Sequence, residues 1–329
     1  MATRRKKKYQ LNRYIIPALA LGLMLLMTSC GQSGDDQSSF SNGLTYEDSS
    51  EDASLTKGQR DNTIKCMKVD SPGKDVYEAK DIAWIDVSNM EEGYISANYY
   101  GTCEKVKLQI TGPDSTTYTY NLKSGTEYFP LTGGDGAYTI GIYENIEQTQ
   151  YAVALSEIID VRIENIFGPN LYPNQYCMFD DNTKYVKKSA DLAFSMDNDL
   201  EYVTNVFNYV LCTMSYDKEK AENIEKGYVC NLDDIYEKGT GICLDYAAIM
   251  TCLLRSQGIP TMLQVGYAGK AYHAWINVYI EEKGWVNGII EFDGVDWSLM
   301  DPTLADTSAK DQLENFIGDG SKYTLKYIY

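Results

Sequence analysis

Lys238-Gly239-Thr240-Gly241-Ile242-Cys243-Leu244-Asp245-Tyr246-Ala247-Ala248-Ile249-Met250 decides how this 329-residue chain folds. Its glycines give a tight approach into a helix whose first turn contains Cys243. The apolar run continues to Leu254, and Gly258-Ile259-Pro260 supplies the stop. Because apolar residues occupy nearly every side, the helix is expected to be central and buried. A thiol in a first helical turn meets unpaired N–H groups and the positive end of the helix dipole, both of which favour thiolate. The same N–H groups suit a developing oxyanion. Taken alone, a cysteine at the head of a buried helix is more often inert packing.

The flanking sequence changes that balance. Residues 261–266 read as a strand, 266–270 as a turn and 272–280 as a second strand. In the second strand His273, Trp275, Asn277 and Tyr279 share one face, while Ala274, Ile276, Val278 and Ile280 share the other. His273 is the only histidine of the chain and follows the helix-start cysteine by 30 residues. A further strand ends in Trp297-Ser298-Leu299-Met300-Asp301-Pro302-Thr303. Upstream, residues 184–196 and 199–214 read as helices. In the second, Tyr202, Val203, Val206, Phe207, Val210, Leu211 and Met214 recur at helical spacing, and Asp197 or Asp199 is the expected cap. Asp197-Asn198-Asp199 lacks the remainder of a calcium loop.

In order, Gly-x-Cys-x-Asp-Tyr-Ala, Gly-Ile-Pro, His-Ala-Trp and Trp-x-x-x-Asp-Pro-Thr resemble the transglutaminase-like superfamily over about residues 185–305. The resemblance implies an α+β fold, a papain-like core in which a central helix packs on an antiparallel sheet. It implies a triad in which Cys243 is the nucleophile, His273 takes its proton and Asp301 orients the imidazole. Trp275 and Trp297 would be framework around the site. The connection at 281–296 is extended and leaves Asp293 and Asp296 as rivals for the orienting role. Asn208 and Tyr216 are candidates for a side-chain oxyanion donor. The implied chemistry is attack on an amide or ester carbonyl, giving a thioester acyl-enzyme that water or an amine resolves. Hydrolysis of peptide-like amides is the leading expectation. Protein-glutamine transamidation and a non-catalytic cell-surface scaffold are the alternatives.

Residues of about 75–167 differ in character. Short β-type runs at 82–87, 105–111, 116–122, 137–143 and 151–163 alternate with turn signals such as Gly112-Pro113-Asp114-Ser115 and Gly133-Gly134-Asp135-Gly136. Their spacing predicts a small immunoglobulin-like β-sandwich. The many strand tyrosines fit half-buried sheet positions better than a sugar-binding surface. The expected organisation is a signal peptide at 1–29, a flexible tether at 30–65, the sandwich at 66–168 and the transglutaminase-like domain at 169–329.

The N-terminus reads as an address. Arg4, Arg5, Lys6, Lys7 and Lys8 precede an apolar run at 15–27, too short to span about 30 Å of hydrocarbon. Leu26-Met27-Thr28-Ser29-Cys30-Gly31 resembles a bacterial lipobox, which implies a lipid on Cys30 and an anchored, extracytoplasmic protein. From Gly31 to about Arg60 the chain is rich in Ser, Gly, Asp and Gln, with few large apolar residues. Net charge is −18 overall. Without the six basic residues of the leader, 23 basic residues face 47 acidic ones, a balance of −24 that repels phosphate backbones and argues against nucleic acid. A single histidine and no C-x-x-C pair argue against a zinc site, and no other metal or cofactor is expected. The expected partners are a protein or peptide substrate and, through the lipid, a membrane. Cys66, Cys103, Cys177, Cys212, Cys230 and Cys252 are left without an assigned pairing.

Overall fold

The computed structural model describes residues 56–268, 271–281, 283–286, 290–292, 297–299 and 323–329. The leader, Cys30, the tether up to residue 55, Asp293, Asp296 and Asp301 lie outside the described residues. No helix among those described is long and apolar enough to cross a membrane.

The first half is a β-sandwich. Its strands are β1 (Val76–Ala79), β2 (Ala83–Asp86), β3 (Tyr94–Tyr99), β4 (Val106–Thr111), β5 (Thr117–Leu122), β6 (Glu127–Pro130), β7 (Gly136–Glu147) and β8 (Gln150–Val161). They pair antiparallel in two sheets, β1-β2-β3-β6 and β5-β4-β7-β8. The chain changes sheet after β3, β5 and β6, as Greek-key sandwiches do. Alternation drives this arrangement. Along β4, Val106, Leu108 and Ile110 are buried while the residues between them are half-buried. Across from them on β5, Tyr118, Tyr120 and Leu122 are buried. A side-chain period of two therefore sends one face of each sheet into a common core.

The second half is α+β. Its elements are α1 (Lys184–Ala193), α2 (Asp199–Thr213), β9 (Ser215–Tyr216), α3 (Lys218–Asn223), α4 (Leu232–Lys238), β10 (Thr240–Gly241) and α5 (Cys243–Arg255), then β11 (Thr261–Ala268), β12 (Ala271–Ile280), β13 (Gly284–Val286), β14 (Ile290–Phe292), β15 (Trp297–Leu299) and β16 (Tyr323–Ile328). Every residue of α5 from Asp245 to Arg255 is buried. The helix packs between α1, α2 and α4 and the antiparallel sheet β13-β12-β11-β16. This is the central helix on an antiparallel sheet that the sequence led us to expect.

Two expectations need correction. The cap of α2 is Asn198, whose side chain accepts from the Glu201 N–H at 3.0 Å, rather than Asp197 or Asp199. Those two aspartates are engaged by the segment before the sandwich: Asp197 accepts from the Gln59 N–H at 3.0 Å and Asp199 from Arg60 Nε at 2.7 Å. The same contacts correct the tether. Residues 58–65 are docked on the helical half, with backbone bonds from Gly58 to Phe194, Arg60 to Met196 and Lys65 to Ser256. Arg60 is buried, bonds Gln257 and lies over the Tyr202 ring at 4.5 Å. One long cation with a fixed carboxylate and a ring face offsets the ordering of an otherwise polar segment.

Arg255 closes α5. It is completely buried and donates to the main-chain oxygens of Thr261, Tyr172 and Tyr329, at 2.6 Å, 2.8 Å and 2.7 Å in its shortest contacts. Burial pulls its pKa down to about 10, so it stays a cation at neutral pH. It thereby ties the helix end to β11, to the loop at 172 and to the residue after β16. Tyr329 in turn packs on the sandwich, with ring centroids 5.7 Å from Tyr118 and 5.9 Å from Tyr120.

Candidate active site

The site begins with a parallel pair of two-residue strands. β10 pairs with β9 so that Gly241 stands opposite Tyr216. Gly241 is needed there, because a Cβ would fall 2.7 Å from Cβ of Asp245. The chain then turns into α5 at Ile242, placing Cys243 as the first helical residue. Ile242 has no side-chain acceptor, so the helix is capped from the other direction. Asp245, at the third helical position, accepts from the Ile242 N–H at 2.8 Å.

Asp245 is fully buried and does more than cap. Lys220 Nζ of α3 donates to it at 2.5 Å, and the Tyr228 hydroxyl donates to its other oxygen at 2.7 Å. The lysine also lies over the Tyr228 ring at 4.4 Å. Buried Cys230 is pushed well above the ordinary thiol value of 9.0 by burial and then by this carboxylate. Asp245 was quoted in the motif above but given no role. Its signal was readable: an acid three residues after a residue that cannot cap for itself.

Cys243 and His273 line one cavity of about 390 Å³. His273 is buried on β12, opposite Gly266 of β11, and its ring stacks on Trp275 with centroids 6.3 Å apart. Gly266 is dictated by this packing: a Cβ would lie 2.9 Å from the Trp275 ring and 2.1 Å from the Thr324 oxygen. The backbone N–H of Ala274, next to His273, is directed at the Cys243 sulfur, as are those of Leu244 and of Cys243 itself. Helix start and strand thus meet at the sulfur.

The electrostatics differ from the expectation of a depressed thiol. Burial pushes Cys243 above its ordinary value of 9.0, outweighing the N–H groups of Ala274 and Leu244 that pull it down, and the Asp245 charge adds to the rise. The helix start is therefore a place where a sulfur or oxygen anion finds donors once formed, while the resting group is the neutral thiol.

The other sequence candidates fall as follows. Tyr216 lines the Cys243 cavity, and burial followed by the nearby Cys243 raises its hydroxyl above 10.0. Trp275 borders a small space against Cys243, Tyr246 and Met250. Asn208 lies within α2 and is not among the residues lining the cavity. Sequence reading did not single out Tyr176, Ile224, Tyr272 or Tyr329, which also line it. Among the described residues no group of three or more His, Cys, Asp or Glu side chains could hold a metal ion, and none of the seven described cysteines is in a disulfide.

Residues 189–288 match the family model of the transglutaminase-like superfamily core. A protein of Bacillus subtilis (strain 168), the uncharacterized protein YebA, is 24% identical over 160 residues, which is 40% of this chain and 21% of that protein. The chain thus spans about a fifth of that relative's length. Among solved structures, a Cytophaga hutchinsonii protein described as a "Putative Cysteine Protease" is similar at 16% identity and TM-score 0.35, over 72% of each chain. Red sea bream transglutaminase is similar at 10% identity and TM-score 0.28, over 58% of this chain and 47% of its own. The segment that the family model matches is the one that carries α5, Cys243 and His273. Over that segment the chain is similar to the transglutaminase-like superfamily.

Proposed function

We propose that this chain is a cysteine-dependent hydrolase of peptide-like amide bonds, working through a thioester on Cys243 and anchored at the cell surface by a lipid on Cys30. The observation that carries the catalytic reading is the shared cavity: a helix-start thiol and the chain's sole histidine line the same space, with N–H donors gathered at the sulfur.

The neutral thiol sets the order of events. As the sulfur attacks the carbonyl carbon, His273 takes its proton. The carbonyl oxygen becomes an oxyanion beside the N–H groups at the start of α5. When the carbon–nitrogen bond breaks, the imidazolium gives its proton to the departing amine and the acyl group remains on sulfur. Water then attacks the thioester, His273 takes a proton from it, and the acid leaves with the thiol restored. Asp301 has the orienting role that the family resemblance implies. An amine in place of water would give transamidation by the same steps.

Replacement of Cys243 tests this reading. Cys243→Ala should abolish amide hydrolysis on a peptide library while leaving the melting temperature close to that of the parent. Full activity in that variant would refute it.

A further inference from the structure

The cavity beside Cys243 has a composition that the catalytic steps do not require. Aromatic and aliphatic side chains form most of its lining, notably Tyr176, Tyr216, Tyr272, Ile224 and Leu244. Two of them are held open to solvent although they are large and apolar: Tyr272 is 59% exposed and Ile224 is 37% exposed. The carboxylate and ammonium groups of the lining come from Glu225 and Lys226, neighbours of opposite sign. On a chain whose body carries a large negative balance, the space next to the nucleophile thus has almost no net charge.

The wall is also built in advance. Ala221, Ile224 and Tyr228 belong to the stretch that follows Lys220, and Lys220 and Tyr228 are both bound to buried Asp245. The carboxylate that caps the nucleophile's helix therefore fixes the facing wall. A preformed, largely apolar space of little net charge next to a reacting atom gains by covering apolar surface and loses by desolvating charge.

We infer that this cleft is a subsite for a large apolar or aromatic side chain of the acyl donor, next to the carbonyl that Cys243 attacks, with Tyr272 and Ile224 setting the preference. The inference rests on the proposed role of Cys243. Covering a Phe- or Leu-sized side chain there is worth roughly 10- to 100-fold in binding. A carboxylate or ammonium at the same place would lose its water without gaining a partner of fixed opposite charge.

The test uses alkylation, which needs the thiol and the cleft but no acyl transfer. The full chain is treated at pH 8 with three chloroacetamides bearing phenethyl, carboxyethyl or aminoethyl arms. Labelling of Cys243 is followed by peptide mass mapping and normalised to each reagent's rate with glutathione. The expected result is a phenethyl rate at least about 10-fold above both charged arms. Tyr272→Ser and Ile224→Ser should each reduce that ratio several-fold; both positions are exposed, so one serves if the other variant fails to fold. Equal normalised rates, a faster charged arm, a ratio unchanged in both variants, or no labelling by any arm would overturn the inference. Failure of the hydrolase reading looks different: the phenethyl preference persists while no Cys243-dependent amide turnover is found.

Discussion

Cys243 holds a proton that the helix start does not by itself remove. Burial raises the thiol above 9.0, and three backbone N–H groups only partly offset the cost of a charge there. The sign follows directly. A raised pKa keeps thiolate scarce at neutral pH and lets it accumulate only as pH passes the raised value. Alkylation of Cys243 by iodoacetamide should therefore keep climbing beyond pH 9 and show no plateau near neutrality. A plateau below pH 7 would mean a standing thiolate–imidazolium pair and would contradict this account. The motif made the cysteine and histidine readable. The expected lowering of the thiol is not met, because a sequence shows a position in a helix and not how much water reaches the sulfur. Asp245 was hidden for a related reason: its partners, Lys220 and Tyr228, lie on separate short segments that only folding brings together.

At the level of elements, long periodic segments were readable and short ones were not. α5, β11 and β12 lie close to their expected bounds, since eight or more residues of one pattern outweigh local noise. α3 and α4 were missed. They are six and seven residues long, polar, and defined by the caps Asp217 and Asn231 rather than by an apolar stripe. β1 and β6, four residues each, were not singled out either. Yet α3 has a large consequence, because Lys220 joins the cavity wall to the helix that presents Cys243. Lys220→Met would leave the buried Asp245 with donors but no counter-charge. A loss of roughly 3 kcal/mol in unfolding free energy is expected from breaking one side of such a pair. Chemical denaturation measures it; a change below about 0.5 kcal/mol, typical of exposed pairs, would show that the link carries no load.

Across the whole molecule, sandwich and α+β half share aromatic packing. Tyr120 lies 4.7 Å from Phe129 within the sandwich and 6.1 Å from Tyr176, which itself lines the Cys243 cavity. Tyr329 packs on Tyr176 at 4.1 Å and is held by Arg255. The two halves should therefore melt together. Calorimetry is expected to show one cooperative transition, and Tyr120→Ala should weaken the whole by about 3–5 kcal/mol. Two separate transitions, with only the first shifted, would contradict the coupling. The sandwich itself was foreseeable from alternation, whereas its junction with the α+β half depends on tyrosines far apart in sequence. The most direct measurement of the central claim is acyl-enzyme trapping. The full chain is mixed with an activated peptide ester, quenched in acid within milliseconds and mapped by mass spectrometry. The account predicts an acyl adduct on Cys243 that forms at least about 100-fold more slowly in His273→Ala and is absent from Cys243→Ala. An adduct that forms at the parent rate in His273→Ala, or that resides on another cysteine, would contradict it.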